Sequence, residues 1–367
     1  MRIVVLGGAG DMGAEVVRDL VRYSKATEIV IADMNEQKSK QLAESIGDER
    51  LKVKKLDARS HENLVEIMKG SAAVAGALGP FYLFERLIIE AAIEAGANYV
   101  SICDDHDAVE AALTLDQEAR QKGRRIMTGL GWTPGLSNLL ARRGYDRLDQ
   151  AESVRIYWAG SVGDSKGMAV ILHLIHIFGG RVVSYQDGET VRIKAGSEKE
   201  TVRFPAPLDH INTYHLGHPE PITVPLYLEG LQNVILKGGM VEHYLNLMAK
   251  CVAALGLAKY RLTKQILGRI LKFLTPIFPA NKRRSLSGIR VDISGYREGK
   301  PVVLSYGAAA PMRKLTGLPL SIGAMMMAES KIKRYGVFGP EADSAVDCEL
   351  FLEELRRRGI EIVEREF

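Results

Sequence analysis

The sequence predicts an α/β fold. It combines an N-terminal Rossmann doubly wound parallel sheet with a second α+β domain built on a mainly antiparallel sheet. Three observations support this. Short apolar runs alternate with amphipathic stretches over the first 130 residues. A glycine-rich turn follows the first apolar run. After about residue 150 the pattern becomes apolar–polar alternation broken by tight turns.

Arg2-Ile-Val-Val-Leu6 is almost wholly apolar, as a strand buried on both faces reads. Further apolar runs fall at 28–33, 51–57, 72–78, 97–102 and 125–128. Between them lie helical patterns at 14–22, 38–46, 61–69, 83–95 and 107–122. Six strands alternating with five helices predict a parallel doubly wound sheet. The expected division is a dinucleotide-binding domain over 1–138 and a substrate or dimerisation domain over 139–311. Residues 312–367 are expected to pack back on the first domain.

The first turn reads Gly7-Gly8-Ala9-Gly10-Asp11-Met12-Gly13. Gly8, Gly10 and Gly13 match the dinucleotide fingerprint. One glycine makes the turn, one admits pyrophosphate, and one lets helix and strand pack closely. Asp11 and Met12 sit where free N–H groups of the helix start would face phosphate. Asp33 ends the second strand, where an acid would hold the adenosine ribose hydroxyls. It would also repel the extra phosphate of NADP, since unit charges about 4 Å apart exchange about 4 kcal/mol at an effective dielectric of about 20. That favours NAD. Lys38 and Lys40 stand close enough in sequence to meet a phosphate, which keeps NADP open. Asp57 ends the third strand, to flank the adenine or simply to face solvent. Gly7, Gly10 and Gly13 also fit the short-chain dehydrogenase spacing. Those enzymes need a helical Tyr-x-x-x-Lys, and Tyr296 and Lys300 fall in a hairpin pattern instead.

In the second half, Val154, Ile156 and Trp158 alternate with polar neighbours, as do Ile289, Val291 and Ile293. Arg181–Tyr185 and Thr190–Lys194 flank Asp187-Gly188, a hairpin signal. Helix 167–178 and the segment 240–275 are expected to cover one sheet face. Helix 321–335, with Met325-Met-Met327, reads as core. The basic, apolar segment 259–284 suits either a helix packed on the sheet or a membrane surface.

Composition excludes several classes. Apolar residues make up 46% and charged residues 26%, as in ordinary globular proteins. A net charge of +4 gives no argument for nucleic acid. The three cysteines form no CxxC pair, so neither a metal site nor a disulfide framework is expected. Met1 leads straight into a strand, so no signal peptide and a cytoplasmic location are expected.

Several motifs occur in order: the glycine turn, Gly79-Pro80-Phe81, Tyr99-Val-Ser-Ile-Cys-Asp-Asp105, Gly131-Trp-Thr-Pro-Gly-Leu-Ser-Asn138 and His218-Pro-Glu-Pro221. With these the chain resembles the saccharopine dehydrogenase-related family, nearest in length to its lysine 6-dehydrogenases. The resemblance implies oxidation of a C–N bond in an amino acid, or reduction of the matching imine. It also implies a substrate domain shorter than that of fungal saccharopine reductases.

Ligands of such sheets bind beyond the strand ends. That places Gly79, Pro80, Gly131 and Pro134 toward the cofactor, with Phe81 beside the nicotinamide. Thr133-Pro134 reads as a helix cap followed by Pro at the first helical position. Lysine oxidation needs a base, because the side-chain ammonium has a pKa of about 10.4. Candidates are Asp104, Asp105, His215 and His218, with Glu220 orienting a base or binding an amine. Pro219-Glu220-Pro221 is expected to be rigid and extended. Arg192 is the candidate for a substrate carboxylate.

The leading expectation is oxidative deamination of the lysine side-chain amine. The alternatives are a reductase of the saccharopine or carboxynorspermidine type, a non-catalytic NAD-binding module and a lipid-acting, membrane-associated oxidoreductase. A homodimer through the second domain's sheet is expected.

Overall fold

β1 (Arg2–Leu6) is apolar throughout its buried span, so it sits at the centre of its sheet. It pairs in parallel with β2 (Glu28–Asp33) on one side and β4 (Ala73–Gly76) on the other, Val4 meeting both Val30 and Val74. This computed structural model describes residues 1–161, 163–164, 168–254, 263, 266–270 and 286–367. The chain forms two units. The first holds Met1–Leu136 and Arg313–Leu355; the second holds Ser137–Met312 and Arg356–Phe367.

The first unit adds β3 (Leu51–Lys55), β5 (Tyr99–Ser101), β6 (Arg125–Met127) and β15 (Gly336–Phe338). The order β15-β6-β5-β4-β1-β2-β3 is parallel throughout. The direction of winding reverses between β1 and β4, and the carboxyl ends there form the crevice where such sheets take ligands. Helices α1 (Asp11–Tyr23), α2 (Glu36–Ile46), α3 (His61–Met68) and α4 (Phe81–Ala95) fill the crossovers.

The predicted helix 107–122 is in fact two, α5 (His106–Leu113) and α6 (Asp116–Gln121). Asp116 opens α6 and accepts the Val337 N–H, tying it to β15. That seventh strand was not expected from the sequence.

The second unit begins with α7 (Leu136–Tyr145) and β7 (Gln150–Gly160), followed by α8 (Met168–Ile177). β8 (Arg181–Gln186) and β9 (Glu189–Lys194) form the expected hairpin, with Asp187 and Gly188 at positive φ. Next come β10 (Glu200–Arg203), β11 (His210–His215), α9 (Glu220–Tyr227), β12 (Asn233–Met240) and α10 (His243–Ala254). β13 (Ser287–Arg297) and β14 (Lys300–Ala310) are a long hairpin, with Tyr296 opposite Pro301 and Lys300 opposite Arg297. Tyr296 and Lys300 therefore share no helix face. The sheet runs β10-β11-β12-β7-β13-β14-β16, with β8 also on β12. Among the described residues of this sheet, β12 and β7 are the pair that runs parallel.

Three expectations change. The helix placed at 321–335 is α11 (Met312–Ala328). After α12 (Cys348–Arg357), the last residues do not stay with the first unit: β16 (Val363–Glu366) pairs with β14. Within 240–275, residue 240 ends a strand and α10 follows; most of the basic segment 259–284 lies outside the described residues.

Candidate active site

The glycine turn closes at the end of β1. Gly7 has φ +72, and a Cβ there would lie 2.6 Å from the Ala77 carbonyl oxygen. The tight turn therefore rests on Gly7, which the fingerprint had not singled out. A Cβ on Gly13 would lie 2.2 Å from the Gly7 oxygen, so Gly13 permits the helix–strand contact. Gly10 is exposed and precedes α1 with no side-chain cap, which leaves the first N–H groups of Asp11, Met12 and Gly13 for an anion.

Asp33 spans the turn. Its Oδ2 accepts the Ala9 N–H at 3.1 Å and its Oδ1 the Asn35 N–H at 2.9 Å. It does not cap α2; Asn35 does, accepting the Lys38 N–H at 3.0 Å. These residues fit an adenosine dinucleotide: a glycine cradle, an uncapped helix start, and a carboxylate with lone pairs to spare for ribose. Lys40 is paired with Glu36 at 2.6 Å. Asp57 is paired with Arg59 at 2.7 Å, which holds its carboxyl down at about 2.

At the other strand ends, α4 begins directly after Gly79-Pro80, with Phe81 buried as its first residue. Asp105 is fully buried, and its Oδ2 accepts the Tyr82 N–H at 2.9 Å. It therefore ties the loop after β5 to the start of α4; Asp104 beside it is partly exposed. Thr133-Pro134 is not a helix start. The Gly131 N–H donates to the Pro134 oxygen at 2.9 Å, and Gly131 bridges Gly135. A Cβ on Gly135 would lie 2.3 Å from the Gly131 nitrogen, so this loop doubles back and α7 opens only at Leu136.

The second unit gathers a different set. His218 is 2% exposed and Glu220 0%. His218 Nδ1 lies 3.6 Å from Glu220 Oε2, outside hydrogen-bond length, and neither ring nitrogen has a partner among the described residues. Glu220 Oε1 accepts from Ser137 Oγ at 2.8 Å, and Asn138 Nδ2 donates to Thr223 Oγ1 at 3.2 Å. Two motifs distant in sequence thus meet in one buried cluster. The Trp158 ring lies 5.7 Å from the His218 ring, and His173 meets its edge at 5.3 Å. Trp158 lies so close over Gly238 that a Cβ there would fall 2.0 Å from the indole.

The stretch before Glu220 is not extended. Pro219 holds helical angles and α9 starts at Glu220, with Pro221 in the first turn, where its missing N–H costs nothing. Sequence reading named His218 and Glu220 but missed Ser137, Asn138, Thr223 and Trp158 as their neighbours.

His215 belongs elsewhere. Its Nε2 lies 2.9 Å from Glu198, and burial keeps its pKa below the usual histidine value. Lys237 pairs with Glu200 at 2.9 Å, and the Tyr157 hydroxyl donates to Glu200 at 2.9 Å. Arg192 is exposed on β9.

Residues 3–127 match the family model of the saccharopine dehydrogenase NADP binding domain. A carboxyaminopropylagmatine dehydrogenase from Synechocystis is 22% identical, over 98% of this chain and 96% of that one. Saccharopine dehydrogenase (L-Glu forming) from Saccharomyces cerevisiae shares the fold at TM-score 0.72 and 14% identity, over 100% of this chain and 99% of its own. A lipid droplet localized protein from Caenorhabditis elegans is 26% identical over 35% of this chain and 33% of its own. Among the described residues, no helix is long and apolar enough to cross a membrane.

Proposed function

We propose that this saccharopine dehydrogenase relative is a nicotinamide-dependent oxidoreductase. It makes or breaks the C–N bond of an amino-acid amine, with a carboxylated, N-substituted amine as substrate class. The observation that carries the reading is His218, buried beside buried Glu220 with both ring nitrogens lacking a hydrogen-bond partner among the described residues. Leaving such a group without partners costs about 1–3 kcal/mol, a penalty that a substrate nitrogen would lift. The relative from Synechocystis, matched over nearly its whole length, is named for agmatine bearing a carboxyaminopropyl group, which supports a substituted amine.

The cradle of Gly7, Gly10 and Gly13 with Asp33 would hold the cofactor. When bound, the nicotinamide supplies the acceptor or donor of hydride. In the oxidative direction His218 accepts the proton of the substrate ammonium, so that the nitrogen lone pair can form the C=N bond as hydride leaves the adjacent carbon. Glu220, 3.6 Å away, stabilises the imidazolium, and Ser137 fixes the other Glu220 oxygen. Water then adds to the C=N carbon; as the C–N bond breaks, the departing amine takes back the proton from His218, the water oxygen becomes the carbonyl, and its protons pass to solvent. Removal of the lysine side-chain amine, implied by the motif resemblance, would use the same residues.

The test is cofactor reduction across a panel of N-carboxyalkyl amines, lysine and other diamines, with NAD and NADP side by side. Turnover of a substituted amine supports the proposal. Turnover of lysine alone moves the substrate class to primary amines. Silence in both directions sinks it.

A further inference from the structure

Glu85 lies on the inner face of α4 and is 0% exposed. Three hydroxyls converge on its carboxylate. Tyr99 donates to Oε2 at 2.9 Å; Ser101 and Thr128 meet Oε1 at 2.5 and 3.1 Å. They come from β5, the end of β5 and the residue after β6. Gly76 on β4 makes room, since a Cβ there would lie 2.2 Å from the Tyr99 hydroxyl.

The chain of bonds continues. The Cys103 N–H donates to Ser101 Oγ at 3.3 Å, so Ser101 gives its proton to Glu85 and receives one from the loop after β5. That loop ends in Asp105, whose carboxylate takes the Tyr82 N–H in the first turn of α4. The circuit therefore runs from α4 through Glu85 and Ser101 to the loop and back to α4. Preceding α4 is the loop whose Ala77 and Leu78 press against Gly7 of the cofactor cradle.

We propose that Glu85 is a positioning residue whose ionised carboxylate locks the loops after β4, β5 and β6 into the arrangement that receives the nicotinamide cofactor. The proposal rests on the cofactor reading above. An ionised carboxylate accepts from all three hydroxyls. A protonated one must itself donate, so one of its hydroxyls has to reverse into an acceptor or turn away, and the lock loosens.

Burial pushes Glu85 up to about 7, against the lowering effect of the three hydroxyls. The titratable groups around it are Tyr99 on β5 and Cys103, Asp104 and Asp105 in the loop. Ionised Asp104 raises Glu85 further, and burial holds Tyr99 and Cys103 protonated. The lock therefore changes state near neutrality.

The experiment titrates the full-length protein with NADH and with NADPH from about pH 6 to about pH 8 and follows amide exchange at Cys103, corrected for its intrinsic pH dependence. The expected wild-type affinity rises about fivefold to tenfold with a midpoint near 7, and Cys103 gains protection in step. Glu85→Gln should flatten both curves. Ser101→Ala, which leaves Glu85 held by Tyr99 and Thr128, should uncouple Cys103 exchange from pH; it serves if the Gln variant fails to fold. A wild-type curve without the midpoint, or a Glu85→Gln curve that retains it, overturns the proposal. If neither dinucleotide binds at any pH, the cofactor reading fails and the proposal for cofactor positioning fails with it. Cys103 exchange then still shows whether the lock itself exists.

Discussion

Glu85 in the first unit and Glu220 in the second are both fully buried carboxylates, but their surroundings are built to different ends. Three hydroxyls satisfy Glu85, and each belongs to the framework of the sheet. Glu220 accepts a framework hydroxyl at Oε1 and stands beside an imidazole whose nitrogens meet no hydrogen-bond partner among the described residues. A saturated polar cluster fixes geometry. An unsaturated one is costly to keep and is expected where a ligand completes it. The contrast is what the two proposals rest on: positioning for the first cluster and proton transfer for the second.

The largest expected effect separates the two roles. His218→Ala should lower turnover by roughly 10²–10⁴-fold, the usual contribution of a placed acid or base, while NADH affinity stays unchanged. Equal loss of binding and turnover, measured by steady-state kinetics beside fluorescence titration, would make His218 structural and erase the contrast.

Next in size is a pH effect on stability from Glu85. Its folded pKa of about 7 lies above the ordinary 4.5, so the folded state keeps a proton that the unfolded chain releases. This contribution is fully present below pH 4.5 and is lost as pH rises through 7, about 3 kcal/mol across the window. Glu85→Gln should remove that slope from denaturation midpoints measured between pH 5 and 8. An unchanged slope would mean that the carboxylate is paired in some other way.

The smallest effect supplies a control. Asp57 is half-exposed, and its depressed pKa of about 2 comes from Arg59. Any stability it adds is present above pH 3.8 and is lost only as pH falls through 2. Asp57→Asn should leave the melting temperature at neutral pH unchanged within error, because an exposed pair is screened by solvent. A clear loss would show that burial is not what distinguishes the three acids.

The glycine turn and the parallel strands were legible in sequence because local rules generate them: buried strands are wholly apolar, and a tight turn demands glycine. Even there, the positive φ fell on Gly7 rather than on a residue of the fingerprint. The break in helix 107–122 was not visible in sequence, and the partner of Asp116 at the second helix's start, the Val337 N–H, lies far along the chain. Glu85 reads in sequence as one more polar residue on an amphipathic helix; only the hydroxyls at 99, 101 and 128 hint that it turns inward. Ser137 and Glu220 were each visible as parts of motifs. Their meeting is a matter of tertiary packing, which spacing along the chain does not encode.

The most direct test of the central claim measures cofactor reduction with a carboxylated N-substituted amine in wild type and in His218→Ala, with dinucleotide binding followed in the same samples. The account predicts turnover by the wild type, its collapse in the variant, and equal cofactor binding by both. A variant that turns over normally, or a wild type that binds cofactor yet transforms no amine in either direction, would contradict it.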